Sequence, residues 1–254
     1  MSTVIGSGPD LALIHGWGLG SRVWQPLVEA LSPRHRVHLV ELPGYGQAAT
    51  DSGDFTATAQ ALLDTLPTAV TICGWSLGAM LAMRAAVLAP ERLAGLVLVG
   101  ATPCFVQRSD WPTAQPAALL DSFAASVSTR PEQTLQRFAA LLSQGDGAAR
   151  AISRCLLAGL RESQTPASEV LRRGLDWLRD VDLRPLLPGL GIRSLLIHGE
   201  NDALNPLAAA QFLAERLPAA RIEVFAGAGH APFLADPDRF VRLLDAFCDA
   251  PASR

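Results

Sequence analysis

The chain has 254 residues, of which 49% are hydrophobic, and a formal net charge of −3. This is enough for one large domain with a substantial core, and the acidic balance argues against a nucleic-acid partner. No apolar run approaches the ~20 residues of a membrane span, and the N-terminus lacks the pattern of a signal peptide. The four cysteines are scattered and form no CxxC pair, which is typical of reduced proteins. We therefore expect a cytoplasmic protein with no membrane partner.

Short apolar runs alternate with helical patterns along the chain. The runs that indicate buried strands are LALIH (11–15), RVHLVEL (36–42), AVTIC (69–73), LAGLVLVG (93–100), SLLIHG (194–199) and RIEVFA (221–226). Helical patterns cover residues 21–31, 56–66, 77–89, 206–217 and 237–248. This alternation predicts an α/β fold with a mostly parallel central sheet and helices on both faces.

Residues 105–190 interrupt the alternation, because they contain helical patterns and no convincing strand. Ligands of such folds bind beyond the carboxyl ends of the strands, so an all-helical insertion there is expected to act as a lid. The sequence thus predicts a core domain in two parts, 1–104 and 191–254, with a helical lid at 105–190.

A candidate nucleophile, Ser76, lies in the segment GWSLG, directly after one predicted strand and directly before a predicted helix. A sharp strand-to-helix turn would hold its hydroxyl beside the helix N-terminus, whose N–H groups suit a developing oxyanion. So short a motif also arises by chance, and a structural serine in a glycine-rich turn is the alternative. The choice depends on a base and an acid elsewhere in the chain.

Both partners are found on loops that follow later strands. His230 lies in FAGAGHAPFLADP, after the last predicted strand, where a base for Ser76 is needed. Asp202, in HGENDALNP, is the candidate carboxylate that orients this histidine, with Glu200 as a rival. The chain order Ser76, Asp202, His230 is the order of an α/β-hydrolase triad.

The segment LIHGWGLGSRVW follows the first predicted strand and suits the second half of an oxyanion hole. We expect the backbone N–H of Trp17 to act together with that of Leu77. His15 is an alternative base, but a structural role is favoured for it because His230 already has the expected place in the chain order. A triad of this kind needs no metal and no organic cofactor.

With these residues in place, the whole chain resembles the α/β-hydrolase superfamily and, more narrowly, the pimeloyl-[acyl-carrier protein] methyl ester esterases of biotin synthesis. The combination of GWSLG with PCF…DWP is the most specific part. The segments that carry the resemblance are LIHGWGLGSRVW, HLVELPGYG, GWSLGAMLA, PCFVQRSDWP and GAGHAPFLADP.

The resemblance implies a serine carboxylesterase in which Ser76, Asp202 and His230 are catalytic and Trp17 and Leu77 donate to the oxyanion. It also implies that part of the lid forms the pocket wall beside the acyl chain, although for single alanines ordinary helix packing is favoured. The residues of that wall are Phe138, Ala139, Ala140, Leu141 and Leu142.

The charge of the predicted lid indicates what kind of partner the protein would bind. Nine arginines and eight acidic residues between 106 and 180 leave it less acidic than the rest of the chain. Arg150, Arg154 and Arg161 fall within about 40° on one face of a helix, and Arg137 lies on the helix before it. Such a ridge suits an acidic carrier protein and its phosphate, whereas a solvated face is the alternative.

The family resemblance favours the first interpretation, with an acyl-carrier protein bearing a pimeloyl methyl ester as partner of a monomeric enzyme. Glu132 and Gln133 stand at positions where basic residues would extend the ridge, and their presence weakens the expected docking. Two other functions stay open. One is a broad-specificity short-chain carboxylesterase or C–C bond hydrolase of the same fold, and the other is a non-catalytic ligand sensor that kept the triad.

Overall fold

Seven strands form one sheet in the computed structural model of the chain, which describes residues 2–50 and 53–250. The strand order is β1-β3-β2-β4-β5-β6-β7. Only β1 runs antiparallel to its neighbour, β3, and every other pair of neighbours is parallel. The strands are β1 (Ser2–Ile5), β2 (Asp10–Ile14), β3 (Arg36–Val40), β4 (Val70–Trp75), β5 (Leu93–Val99), β6 (Ser194–Gly199) and β7 (Ala220–Phe225).

Ten α-helices lie in the same described residues. Among the core helices, α2 packs on α3 and α1 packs on α10, which confirms the predicted α/β architecture. The helices are α1 (Gln25–Leu31), α2 (Phe55–Thr65), α3 (Leu77–Leu88), α4 (Ala117–Val127), α5 (Pro131–Leu142), α6 (Ala149–Glu162), α7 (Ser168–Asp180), α8 (Leu207–Arg216), α9 (Pro232–Ala235) and α10 (Pro237–Asp249).

The centre of the molecule is formed by β4 and α3. All six residues of β4 are buried, and nine of the twelve residues of α3 are buried as well. A helix that is apolar around most of its circumference requires cover on several sides, which β2, β4, β5 and α2 provide. The N-terminus of α3 is thereby fixed at the carboxyl edge of the sheet.

The end of β3 was predicted incorrectly, and β1 was missed. β3 ends at Val40, not at residue 42, because the next two residues turn away to bind the segment after β2. The Leu42 N–H donates to His15 Nε2 at 3.1 Å, and the Glu41 carboxylate accepts from the Ser21 hydroxyl at 2.7 Å. β1 was not predicted at all, since four half-exposed residues at a sheet edge carry no readable periodicity.

The stretch between β5 and β6 contains α4 to α7, and we call residues 105–190 the helical region. α4 packs on α5 and α7, and α5 packs on α6. These four helices agree with the helical patterns that the sequence shows in residues 105–190. Within the described residues, the β-structure of this region is limited to isolated bridges, such as that of Asp182 with Cys104.

Candidate active site

Ser76 occupies a strained turn between β4 and α3. Its backbone angles, φ 56° and ψ −117°, lie in a region that residues other than glycine rarely adopt. The surrounding structure holds it there, because the Ser76 N–H donates to the Val99 carbonyl at 3.0 Å and its own carbonyl accepts from the Ala79 N–H at 2.9 Å. The residue lies at the first turn of α3, and 7% of its surface is exposed to solvent.

The two glycines of the motif are required by close backbone contacts. A Cβ on Gly74 would lie 2.4 Å from the Gly78 carbonyl oxygen, and a Cβ on Gly78 would lie 2.5 Å from the carbonyl oxygen of His15. Neither distance is possible for real atoms. The strand, the helix and the His15 turn therefore meet at Ser76 only if both positions lack a side chain.

We expect Gly78→Ala to lower the free energy of unfolding by about 1–3 kcal/mol, because rigid backbone would have to move. A matched control is Gly159→Ala in α6, where an added Cβ meets nothing within 4 Å. This control should raise stability by about 0.5–1 kcal/mol, since alanine is the better helix former. Urea denaturation of both variants measures the difference, and equal effects would contradict the packing described here.

His230 lies in the loop between β7 and α9 and is paired with Asp202. Its Nδ1 is 2.7 Å from Asp202 Oδ2, and both side chains are fully buried. An ionised carboxylate only accepts hydrogen bonds, so we assign the proton of the neutral ring to Nδ1 and the lone pair to Nε2. His230 Nε2 is buried and has no hydrogen-bond partner among the described residues. This nitrogen, His230 Nε2, is therefore available to accept a proton.

The His230 ring packs against the end of β5, beside the Ser76 turn. A Cβ on Gly100, the residue after β5, would lie 3.1 Å from His230 Nδ1. Since Ser76 is hydrogen-bonded to the preceding residue, Val99, the two candidate residues flank the same strand end. The structure brings Ser76, Asp202 and His230 to one edge of the sheet.

Asp202 is held by more than His230. Its Oδ1 accepts the N–H groups of Leu204 and Asn205, both at 2.9 Å. His198 Nε2 lies 3.5 Å from Oδ2 but donates its hydrogen bond to the Asn205 carbonyl at 2.7 Å. Burial lowers the pKa of His198, so this ring is neutral at pH 7 and brings no positive charge to compete for Asp202.

The rival carboxylate, Glu200, is exposed. Its Oε2 accepts the N–H of Gly227 at 2.9 Å, on the outer part of the loop that carries His230. No hydrogen bond or ion pair between Glu200 and His230 is present in the described structure. The geometry thus favours Asp202 over Glu200 as the partner of the histidine.

The turn after β2 adjoins Ser76, as expected for an oxyanion site. A Cβ on Gly16 would lie 3.2 Å from Ser76 Cβ. Within residues 2–50 and 53–250, neither the Trp17 N–H nor the Leu77 N–H donates to a protein acceptor. His15 has both ring nitrogens engaged, by the Gly16 carbonyl at 2.7 Å and the Leu42 N–H at 3.1 Å, and so it holds the turn.

Aromatic side chains cover this turn from the helical region. Trp17 Nε1 donates to the Leu171 carbonyl of α7 at 2.8 Å. The Trp17 ring also meets Phe138 of α5 edge-on at 4.8 Å, and Phe123 of α4 edge-on at 6.0 Å. Three helices therefore contact the side chain of one candidate oxyanion donor.

Of the five predicted wall residues, the structure brings two to the site. Phe138 contacts Trp17, and the Leu142 carbonyl accepts the His230 N–H at 3.2 Å. Ala139 is buried in helix packing, Leu141 is half-buried, and Ala140 is exposed to solvent. The prediction does not fit Ala140. In an α-helix only every third or fourth residue lies on the same face, so Phe138 and Leu142 face the site while Ala140 points away from it.

The role of Trp75 could not be read from the sequence. Its Nε1 donates to the His230 carbonyl at 2.8 Å, and the two rings lie 5.6 Å apart. Trp75 is fully buried, so it supports the loop of the histidine from below. The available signal was general, since a buried indole N–H usually finds an acceptor.

A cavity of about 760 Å³ lies between the turn after β2 and helices α5 and α6. Its lining includes Gly18, Tyr45, Leu135 and Arg161, whereas Ser76 is not part of the lining. Gly18 in this lining is two residues from Gly16, the glycine that touches Ser76.

The part of the chain that the structure describes lacks two kinds of feature. It holds no group of three or more histidine, cysteine or acidic side chains arranged to bind a metal ion. None of its helices has the length and apolar character needed to cross a membrane.

Comparison with known proteins agrees with this geometry. A model of the alpha/beta hydrolase family matches residues 11–243. A pimeloyl-[acyl-carrier protein] methyl ester esterase of Nitrosomonas europaea is 42% identical, covering 95% of this chain and 96% of that protein. One of Aromatoleum aromaticum is 41% identical, covering 93% and 97%.

Among solved structures, an esterase from Exiguobacterium antarcticum superposes with a TM-score of 0.90, covering 98% of this chain and 95% of that one. At 24% identity this likeness concerns the fold. The family matches and the fold confirm the resemblance found in the sequence. The chain belongs to the alpha/beta hydrolase family and, within it, to the family of the pimeloyl-[acyl-carrier protein] methyl ester esterases.

Proposed function

We propose that this chain hydrolyses the methyl ester of a pimeloyl-[acyl-carrier protein], releasing methanol and pimeloyl-[acyl-carrier protein], as a step of biotin synthesis. The observation that carries the proposal is the identity of about 40%, over nearly the whole length, with relatives of that name. The order and spatial convergence of Ser76, Asp202 and His230 support ester hydrolysis as the reaction.

In the proposed mechanism, Ser76 Oγ attacks the ester carbonyl while His230 Nε2 takes its proton. Asp202 stabilises the imidazolium, and the N–H groups of Trp17 and Leu77 bind the tetrahedral oxyanion. His230 then gives the proton to the departing methoxide, which leaves as methanol. The same nitrogen activates a water molecule that hydrolyses the acyl-enzyme and regenerates Ser76.

We also propose that residues 105–190 act as a lid over residues 1–104 and 191–254. Support comes from the contacts that Phe138 and Leu171 make with Trp17, directly above the candidate oxyanion turn. The cavity beside this turn has the size of ordinary ligand pockets, which span about 300–1,000 Å³. A carrier-linked acyl chain would reach Ser76 from this cavity past Trp17 and Phe138.

The arginines of α6 support docking of an acidic carrier protein. Arg150, Arg154 and Arg161 are exposed, on the face opposite the buried side chains Ile152 and Leu156. None of the three forms an ion pair with any residue in the described ranges. Glu162, the residue next to Arg161, is paired with Arg22 at 3.1 Å. Unpaired surface cations are available for a negatively charged partner.

Arg137 of α5 adds to this surface, and its guanidinium lies over the Phe123 ring at 5.9 Å. We expect the double variant Arg150→Gln, Arg154→Gln to raise KM for the carrier-linked ester by about tenfold, since each lost charge contact is worth roughly 0.5–1 kcal/mol. Activity on a p-nitrophenyl ester should not change. Arg242→Gln, at an exposed position of α10, is the matched control, and an equal loss there would contradict a specific docking face.

The function itself is tested with the purified chain and by genetics. We expect turnover of pimeloyl-[acyl-carrier protein] methyl ester well above that of short p-nitrophenyl esters, and rescue of a biotin-requiring strain by the wild-type chain but not by Ser76→Ala. High activity on short esters without rescue would favour a broad-specificity esterase. A single turnover at most would favour a ligand sensor. Gel filtration and cell fractionation test the predicted monomer and cytoplasmic location.

A further inference from the structure

A buried carboxylate lies in the connection between α5 and α6, outside the triad. Asp146 is 9% exposed, and its two oxygens have different partners. Oδ1 accepts the Ala148 N–H at 2.6 Å, within its own turn, whereas Oδ2 accepts the Gly229 N–H at 2.7 Å. Gly229 immediately precedes His230 in the chain.

The same connection has further hydrogen bonds to the loops of the triad. The His230 N–H donates to the Leu142 carbonyl at 3.2 Å, and the Gly147 N–H donates to the Gly227 carbonyl at 3.0 Å. Hydrogen bonds with an ionised acceptor are roughly twice as strong as neutral ones, so Asp146 makes the strongest of these contacts. The helical region is thus joined directly to the loop that carries the candidate base.

This loop needs external support. Gly227 has φ +69°, and with Gly229 close by the backbone before His230 has few side chains to fix it. On one side, Trp75 donates to the His230 carbonyl. On the other side, Asp146 accepts the Gly229 N–H and the Leu142 carbonyl accepts the His230 N–H. A shift of about 1 Å in a catalytic group can cost up to 10²-fold in rate.

A purely structural explanation accounts for half of the geometry. Oδ1 of Asp146 closes a turn just before α6 by accepting the Ala148 N–H, as aspartate side chains commonly do. Such a turn does not require the second oxygen to be buried against a residue 83 positions away. We propose that Asp146 is a positioning residue for His230, so that the helical region completes the placement of the base. This inference rests on the proposed role of His230.

The variant Asp146→Ser separates the two contacts. A serine hydroxyl can still accept the Ala148 N–H in the turn before α6, but it is too short to reach the Gly229 N–H. We expect kcat to fall about tenfold on both p-nitrophenyl acetate and the carrier-linked ester, with KM within about twofold of wild type. A matched control is Glu200→Ala, which removes an exposed carboxylate from Gly227 of the same loop. It should stay within about twofold of wild type in kcat.

Titration with a small fluorophosphonate distinguishes a misplaced base from a misfolded protein. We expect Asp146→Ser to be labelled at Ser76 to full stoichiometry, at a rate reduced in parallel with kcat. Unchanged kcat in the folded variant, or a loss confined to the labelled fraction, would overturn the proposal. If instead Ser76→Ala still hydrolysed p-nitrophenyl acetate at the wild-type rate, the proposed function would fail and not this inference alone.

Discussion

Replacing Ser76 by alanine should reduce kcat by about 10⁵-fold or more, because the acyl-enzyme route then has no nucleophile. The fold should survive the change. Ser76 already adopts φ 56° with a Cβ, so alanine adds no strain. Its N–H and carbonyl hydrogen bonds to Val99 and Ala79 involve only backbone atoms and are kept. We expect the variant to bind the carrier-linked ester with nearly wild-type affinity.

Two measurements on Ser76→Ala check this expectation: steady-state hydrolysis of the carrier-linked ester, and its binding by fluorescence anisotropy. Ser126→Ala is the matched control, because its hydroxyl donates only to the Ser122 carbonyl within α4 and Ser126 does not line the cavity. That control should keep wild-type turnover. Substantial turnover by Ser76→Ala would mean that another group attacks the ester and would remove the basis for the triad.

The arrangement of the core could be predicted from the sequence because it depends on local patterns. The five strands β2 to β6 are mostly buried apolar runs that end at glycine or polar residues. Ser76, Asp202 and His230 lie in the loops at the carboxyl ends of β4, β6 and β7. In a parallel sheet these ends share one edge, so the convergence of the three residues was implied before any coordinates were known.

The contacts that hold the site together could not be predicted in the same way. Trp75 meets the His230 carbonyl across 155 residues, and Asp146 meets Gly229 across 83. The periodicity of apolar residues indicates which face of a helix or strand is buried, but not which loop packs against that face. For the same reason the arginine face of α6 was predicted correctly, whereas the pairing of Glu162 with Arg22 was not.

Replacing Asp202 by asparagine should reduce kcat by up to about 10⁴-fold, the size seen for this change in serine proteases. The hydrogen bonds of Asp202 explain why. Its Oδ1 accepts two backbone N–H groups, from Leu204 and Asn205, so the amide oxygen of an asparagine must take that place. The NH₂ group is then directed at His230 Nδ1, where Oδ2 now accepts. A donor there forces the ring proton onto Nε2, the nitrogen that has to receive the proton of Ser76.

The choice of the control variant follows from the same hydrogen bonds. Glu200→Gln changes a carboxylate only two residues away to its amide, but Glu200 is exposed and binds the Gly227 N–H, which an amide oxygen can still accept. We expect its kcat to stay within about twofold of wild type, with thermal melting confirming that both variants are folded. A small loss at Asp202 together with a large loss at Glu200 would assign the acid role to the rival. A tautomer defect, unlike a folding defect, should slow fluorophosphonate labelling of Ser76 while leaving its final stoichiometry complete.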